Sequence, residues 1–252
     1  MQELASWPRP AYVAAERPFV YLAIFGASMG GPDVSRSRHR CAGVPRGIDI
    51  SAFDAQRHGA WADSVRSGYL WDKLQREDPA LAQAVAGATS WIVLRGEPAD
   101  DSALDYLRDI VGIVQAFFDN GAACVYDPQQ FKWWSAADWR REVFDAGEAV
   151  PHRHVVTLMS RMEDGTQWFH TRGMRLFGRP DLSMHGVTAD REGAVVKMFD
   201  RFIDLHASGG IVPEGQPVRM AGLPDGLACR HAGDIDDPDF NNVHIEIGRP
   251  AA

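Results

Sequence analysis

A strand–helix–strand pattern between residues 91 and 126 constrains the fold more than any other part of this sequence. One short apolar run begins at Trp91, and a second ends at Tyr126. Between them, apolar residues recur at steps of three and four, as on one face of a helix: Leu104, Leu107, Val111, Val114 and Phe118. The pattern predicts a β-α-β unit, either a right-handed parallel crossover or half of a ferredoxin-like arrangement.

The rest of the chain mixes helix and strand signals without strict alternation, which is typical of α+β proteins. An apolar run over 19–25 predicts a strand buried on both faces, and residues 51–87 have the apolar spacing of helices. A long helix is expected at about 188–207, packed on a mixed sheet that contains the β-α-β unit. We therefore expect an N-terminal arm, strand and helical region over 1–90 and an α+β domain over 91–252, with one continuous domain as the alternative.

Charge and cysteine usage exclude several function classes. The chain has 252 residues and a formal net charge of −8, which argues against bulk electrostatic binding of nucleic acid. No apolar stretch approaches the ~20 residues of a membrane helix, so no membrane partner is expected. Three scattered cysteines predict neither a disulfide framework nor a zinc ribbon, and a reducing cytoplasm is the expected location. The arginine-rich stretch at 36–46 is interpreted as a solvated loop rather than a binding patch.

Two pairs of residues have the spacing of metal ligands on strands. His152 and His154 are separated by one residue, and so are His244 and Glu246, which places each pair on one face if the segment is extended. If the two strands are neighbours, the four side chains form a His/carboxylate site suited to Zn²⁺ or Fe²⁺. The alternative is that these histidines are ordinary core or surface residues.

The stretch from His170 to His185 combines turn-forming residues with dense polar chemistry. In a structural role, Gly173 and Gly178 supply the unusual backbone angles of a hairpin. In a functional role, the arginines of this stretch present guanidinium groups to a carboxylate or phosphate, with Arg172 beside the two histidines. We rank the structural role first and keep His170, Arg172 and His185 as candidate catalytic residues.

Aromatic residues are concentrated between Phe131 and Trp139, with Trp133 and Trp134 inside the segment. Such density is typical either of a core or of a protein interface, where tryptophan contributes strongly to binding. Under the interface interpretation, replacing Trp133 or Trp134 with alanine weakens the partner and leaves the fold intact.

The pattern T-x-G-M-x-x-F-G-x-P-D-L from Thr171 to Leu182 resembles a hairpin shared by several uncharacterised bacterial domain families, which are loosely similar to Suppressor-of-fused-like proteins. The strand–helix–strand unit and the closing segment from Asp237 to Ile247 also resemble this group, so the resemblance covers about 90–247. It implies an α+β fold and, because several relatives are thought to be immunity or adaptor proteins, binding to another protein. It carries no catalytic motif to this chain.

Two functions follow as expectations. The first is a soluble bacterial binding module of the immunity or adaptor type, whose partner is another protein. The second is an enzyme, with or without a metal ion, that acts on a small anionic substrate in a pocket of histidines and other polar residues: His154, His170, Arg172, His185, His244 and Glu246.

Overall fold

The computed structural model describes residues 4–28 and 30–250, and its internal contacts divide them into two units. The first unit consists of 4–8, 19–99 and 103–150. The second unit consists of 9–18, 100–102 and 151–250. This division does not coincide with the boundary expected near residue 90, because the strand that begins there pairs with strands from earlier in the chain.

The first unit contains a five-stranded sheet. Its strands are β1 (Val20–Phe25), β2 (Ile48–Asp54), β3 (Ser90–Gly96), β4 (Cys124–Asp127) and β5 (Lys132–Ser135). Their order is β2-β3-β1-β4-β5, and every neighbouring pair is antiparallel. Since β1 lies between β3 and β4 and is antiparallel to both, β3 and β4 run parallel to each other.

Six helices accompany this sheet: α1 (Arg36–His39), α2 (Ala55–Val65), α3 (Gly68–Glu77), α4 (Pro79–Gly87), α5 (Asp105–Asp119) and α6 (Ala136–Trp139). The chain from β3 through α5 to β4 is the predicted β-α-β unit, with β1 inserted between its two strands. Helices α2 to α4 pack against the sheet face that carries Phe25 and Trp91. The helical region expected from residue 51 begins at Ala55, because residues 48–54 form β2, which the apolar spacing did not indicate.

The second unit contains a six-stranded sheet and the long helix α7 (Glu192–Ala207). Its strands are β6 (Val156–Arg161), β7 (Gln167–Arg172), β8 (Asp181–Val187), β9 (Pro217–Val218), β10 (Leu227–Ala232) and β11 (His244–Gly248). The order is β6-β7-β8-β11-β10-β9. The β8–β11 pair is parallel and the other pairs are antiparallel, so the sheet is mixed.

The α+β class and the long helix are therefore confirmed, but the β-α-β unit and the long helix are associated with different sheets. The β-α-β unit is part of the first unit, whereas α7 contacts β8 of the second. The buried side of α7 includes Val195, Phe199 and Ile203. Within the described residues, no helix is both long and apolar enough to span a membrane.

Candidate functional site

The histidines of the 170–185 segment lie on one face of the second sheet. His170 on β7 stacks on Trp168, with ring centroids 4.1 Å apart, and His185 on β8 stacks on the same indole at 4.9 Å. Phe240, from the loop between β10 and β11, contacts His170 at 5.4 Å and His244 at 4.1 Å. The structure thus joins His170, His185 and His244 through two aromatic rings, an arrangement we call the histidine row.

Burial favours the neutral form of two of these histidines, His170 and His244. The pKa of His170 is lowered to about 4, first by burial and then by the charge of Arg172. Burial also lowers the pKa of His244. The Nδ1 atoms of both rings are buried without a hydrogen-bond partner among the described residues. Phe240 packs against both imidazoles, which are therefore in contact with an aromatic ring of the protein itself.

The arginines of this segment bind backbone carbonyl groups of the protein itself. Arg172 is buried and donates to the carbonyl oxygens of Pro238 and Asp239. Arg175 Nη1 donates to the carbonyl of Asn241 at 3.1 Å, and Arg179 Nη2 donates to that of Gly209 at 2.8 Å. These contacts favour the structural role of the segment, because the guanidinium of Arg172 holds a loop instead of facing a substrate cavity.

The four candidate metal ligands are not gathered into a site. His152 lies in a 3₁₀ turn over 151–153, and its Nε2 is 2.9 Å from Asp204 Oδ1 on α7. His154 is buried beside Phe177, before β6 begins at residue 156, so the pair does not lie on a strand as expected. His244 and Glu246 do share β11. Among the described residues, no group of three or more His, Cys, Asp or Glu side chains is placed to hold a metal ion, so the structure gives no support to Zn²⁺ or Fe²⁺ binding.

The aromatic segment at 131–139 is part of the core of the first unit. Trp134 and Trp139 are each only 1% exposed, and Trp133 stacks on Tyr126 at 4.3 Å. β5 pairs with β4 at the edge of the sheet, and its successive side chains point to opposite faces. Trp134 is buried on one face, and Trp133 is partly buried on the other. The interface interpretation is therefore wrong for Trp134 and Trp139.

A concave site lies elsewhere, on the face of the first sheet formed by β1, β2 and β3. It has a volume of about 630 Å³ and is lined mainly by aromatic rings, with charged residues beside them. We call it the aromatic groove. Its principal residues are Phe19, Tyr21, Asp49, Ser51, Phe53, Trp61, Trp91, Arg95 and Glu97.

Strand alternation and one helix build the floor of this groove. Ser51 and Phe53 project from the same face of β2, and Phe53 stacks on its cross-strand neighbour Trp91 on β3 at 6.0 Å. Helix α2 then brings Trp61 to within 5.5 Å of Trp91. Trp91 is only 1% exposed, so the accessible apolar surface of this cluster comes from the partly buried rings of Phe53 and Trp61. Such a surface suits the burial of another aromatic or apolar side chain.

Charged groups stand at the other end of the groove. The Arg95 guanidinium lies over the rings of Phe19 and Tyr21, at 5.7 and 5.8 Å from their centroids. Asp49 is the cross-strand neighbour of Arg95 on β2, and Glu97 follows β3. An apolar floor with a few converging polar groups is the usual composition of a ligand-binding site.

The groove opens beside an edge strand. In the described part of the chain, β2 is the first strand of its sheet and pairs only with β3. Four consecutive residues of β2, from Asp49 to Ala52, are exposed. The sequence signal for β2 is a period-two alternation of apolar and polar residues over 48–52, which overlaps the stretch 51–87 whose apolar spacing predicts helices.

Comparison of the chain with protein-family models, with curated proteins and with solved structures found no match.

Proposed function

We propose that this chain is a binding module that takes up an extended peptide segment of a partner protein along β2, with a large apolar side chain of the peptide in the aromatic groove. The observation that carries the proposal is the juxtaposition of an exposed edge strand with a groove lined by the residues of that same strand. The proposal agrees with the immunity or adaptor role that the sequence resemblance implies.

An edge strand supplies affinity through its backbone. Alternate N–H and C=O groups of β2 point away from β3, where they are available to pair with an added strand. An added strand directs every second side chain to the face on which Ser51 and Phe53 lie. A side chain at that position contacts the partly exposed rings of Phe53 and Trp61, and so gives the interaction its specificity.

The charges of the groove define the composition of the preferred peptide. Asp49 and Glu97 are both exposed, and Arg95 beside them is partly occupied by its ring contacts. The surroundings of the groove are therefore weakly acidic, as is the whole chain with its net charge of −8. We expect a peptide with an aromatic or large aliphatic residue and a nearby lysine or arginine.

The enzyme alternative is not the function that the geometry supports best. Its candidate residues His170 and His185 stack on Trp168, and Arg172 donates to the loop that carries Phe240. The ring of Phe240 contacts both His170 and His244.

Two neighbouring residues of β2 offer a matched test. Ser51 lines the groove, whereas Ala52 is equally exposed on the opposite face of the strand. Peptides selected from a random phage-displayed library on the wild-type protein would be measured by calorimetry against both variants. We expect Ser51→Trp, which fills the groove, to abolish binding, and Ala52→Trp to leave the dissociation constant within about threefold of wild type.

Backbone pairing is tested on the peptide itself. N-methylation of alternate peptide residues removes backbone N–H donors. Methylation of the residues whose N–H groups face β2 should weaken binding by at least about tenfold, and methylation of the intervening residues should have little effect. Circular dichroism would verify that both protein variants are folded. Selected peptides that bind Ser51→Trp as well as wild type, or a failure to select any peptide, would overturn the proposal.

A further inference from the structure

A cleft of the second unit lies between one side of α7 and the chain that follows this helix. Its volume is about 340 Å³. Met198, Phe202 and Leu205 line it from successive turns of α7, and residues 211–213 and 216–220 line it from the other side. We call it the helix cleft. Its lining residues are distinct from those of the aromatic groove and of the histidine row.

Close contacts within the second unit hold the two walls of the helix cleft together. At one end, Gly210 lies so near to α7 that a Cβ atom added to it would be 2.5 Å from Leu205 Cδ1. At the other end, a Cβ atom on Gly222 would be 3.1 Å from the Cβ atom of Ala194 on α7. The cleft is therefore formed by the fold itself, which lowers the entropy lost when a ligand binds.

The walls of the cleft are mainly aliphatic. Met198 and Val218 are buried in it, whereas Leu205 and Ile211 are 40% and 48% exposed. Because these two exposed side chains line the same concavity, they form a shared apolar surface instead of isolated surface residues. Met198 and Met220 add flexible side chains that adapt to the shape of an apolar ligand. The volume lies at the lower end of the range of about 300–1,000 Å³ for ligand pockets, so the ligand is small.

Two arginines bring positive charge to this apolar cleft. Arg201 belongs to α7, Arg219 follows β9, and both are exposed. Arg201 Nη1 donates to Met220 Sδ at 3.3 Å, so its guanidinium reaches the wall that carries Arg219. A thioether sulfur is a weak acceptor, and an oxyanion forms a much stronger hydrogen bond with a guanidinium.

The acidic residues that neighbour the cleft in sequence have partners elsewhere. Asp200 and Asp204 lie 3.7 and 2.9 Å from the two ring nitrogens of His152. Glu214 Oε2 accepts from the backbone N–H of His231 at 2.6 Å. Among the described residues, the charged side chains that line the cleft are therefore both arginines. Guanidinium groups recognise carboxylates through paired N–H donors.

We propose that the helix cleft binds an aliphatic carboxylate, a flexible hydrocarbon chain with a carboxylate at one end. The carboxylate pairs with Arg201 and Arg219, and the hydrocarbon chain lies along α7 toward Leu205 and Ile211. The helix rises about 10 Å from Met198 to Leu205, a length that suits a medium chain such as that of octanoate. This site does not depend on the peptide binding proposed for β2.

Calorimetry on the full chain with four probes tests the class of ligand. Octanoate carries both the chain and the carboxylate, 1-octanol keeps the chain without the charge, and acetate keeps the carboxylate without the chain. Octylammonium reverses the charge, and the net charge of −8 favours it over octanoate at the general surface of the protein. We expect octanoate to bind at least about tenfold more tightly than each of the other three probes, and to weaken as salt is added.

Matched arginine substitutions test where the carboxylate binds. Arg201→Gln, at an exposed position that lines the cleft, is expected to leave the fold intact and to weaken octanoate about tenfold. Arg230→Gln removes the same charge from an exposed position of β10 that does not line the cleft, and it should change the affinity less than about twofold. Arg201→Lys, which keeps the charge without the paired donors, should be intermediate.

Matched isoleucine substitutions test where the hydrocarbon chain lies. Ile211 and Ile235 are 48% and 46% exposed, but only Ile211 lines the cleft. We expect Ile211→Asn to weaken octanoate about fivefold to tenfold, and Ile235→Asn to stay within about twofold of wild type. Circular dichroism would verify that each variant is folded.

The assignment is wrong if octanoate shows no measurable binding, or if it binds no more tightly than 1-octanol or octylammonium. Equal losses in Arg201→Gln and Arg230→Gln, or in the two isoleucine variants, would also overturn it. Ser51→Trp, which fills the aromatic groove, should bind octanoate like wild type, so the groove and the helix cleft can fail separately.

Discussion

Asp181 is a buried carboxyl group at the start of β8 whose oxygens are held by three donors. It accepts from Thr171 Oγ1 at 2.8 Å, from Asn242 Nδ2 at 2.9 Å and from the backbone N–H of Met174 at 3.3 Å. Burial raises the pKa of Asp181 to about 7, although the hydrogen bonds and Arg172 act in the opposite direction. One side chain therefore connects β7, the turn after it and the loop before β11, and its protonation state affects all three.

We predict that Asp181→Asn removes a pH-dependent part of the stability. In the unfolded chain an aspartate releases its proton near pH 4, whereas native Asp181 keeps it until about pH 7. The proton therefore favours the native state at low pH, and this contribution is lost as pH rises between these two values. Relative to the variant, the wild type should lose about 2–3 kcal/mol of unfolding free energy between about pH 5 and about pH 8.

Urea unfolding of both proteins, followed by circular dichroism across that range, measures this difference. Other titrating groups, including His170 and His206 with their lowered pKa values, are common to both proteins and cancel in the comparison. A difference that stays constant with pH would mean that Asp181 is ionised throughout and is neutralised by Arg172.

Among the elements, the loop over 233–243 between β10 and β11 is held by hydrogen bonds from arginine side chains of another segment. It carries Phe240 into the histidine row, and Arg172 and Arg175 hold its carbonyl groups from the neighbouring segment. Asn242 Nδ2 also donates to the carbonyl of Arg179 at 2.9 Å. The hairpin over 171–182 therefore supports this loop.

We predict that Arg172→Met loosens the loop locally. The substitution leaves the carbonyls of Pro238 and Asp239 without their buried donor, a loss of about 2 kcal/mol for a charge-assisted hydrogen-bond pair. Amide hydrogen exchange across 234–242 should then accelerate about thirtyfold, relative to the amides of α7 in the same protein. Arg161→Met, at the exposed end of β6, is the control and should exchange like wild type. Equal acceleration in the loop and in α7 would instead indicate global destabilisation.

The elements with strong local patterns were predictable. The apolar stripe of α5 and the strands on either side of it were found because 3.6-residue periodicity spans the whole helix. Strand β2 was missed because its alternation covers only residues 48–54 and runs directly into α2. The groove was missed with it, since a floor made of Phe53, Trp61 and Trp91 exists only when β2 pairs with β3.

The candidate site residues were predictable only in part. The spacing of His152 and His154 predicts a shared strand face, whereas both residues precede β6. The contacts of Phe240 with His170 and His244 come from a loop that no local pattern describes. Arg172 donates to backbone carbonyls 66 and 67 residues away, and Arg179 donates to one 30 residues away. Every residue of a sequence offers the same carbonyl group, so the sequence does not single out these partners. Sequence patterns therefore identify which arginines are unusual without identifying what they bind.

At the scale of the whole molecule, the two units are interlaced along the chain. Residues 9–18 and 100–102 belong to the second unit, although the segments on either side of them belong to the first. Within the second unit, the buried Arg9 donates to the carbonyls of Phe177, His206 and Ala207 and pairs with Asp100 at 2.6 Å. A single cut in the chain cannot separate the two units without removing such contacts.

We predict that the fragment 151–252 does not fold alone. It lacks Asp100, whose Oδ2 is 3.5 Å from Arg179 Nη1, and it lacks the arm that carries Arg9 and the carbonyl of Val13. An almost fully buried guanidinium without its counter-charge destabilises a small unit by about 3–5 kcal/mol. The fragment 1–150 contains every described segment of the first unit, so it should show a cooperative thermal transition in circular dichroism. A cooperative transition in the fragment 151–252 would contradict this prediction.

The early position of Arg9 has a consequence for synthesis on the ribosome. The carbonyl groups that it binds at His206 and Ala207 are made nearly 200 residues later, which at 5–20 residues per second is a delay of roughly ten to forty seconds. During that interval the arm must remain accessible while the segments around it assemble into the first unit. The segment 9–18 is therefore among the last parts of the second unit to reach its native position, and until then it is accessible to chaperones that bind nascent chains.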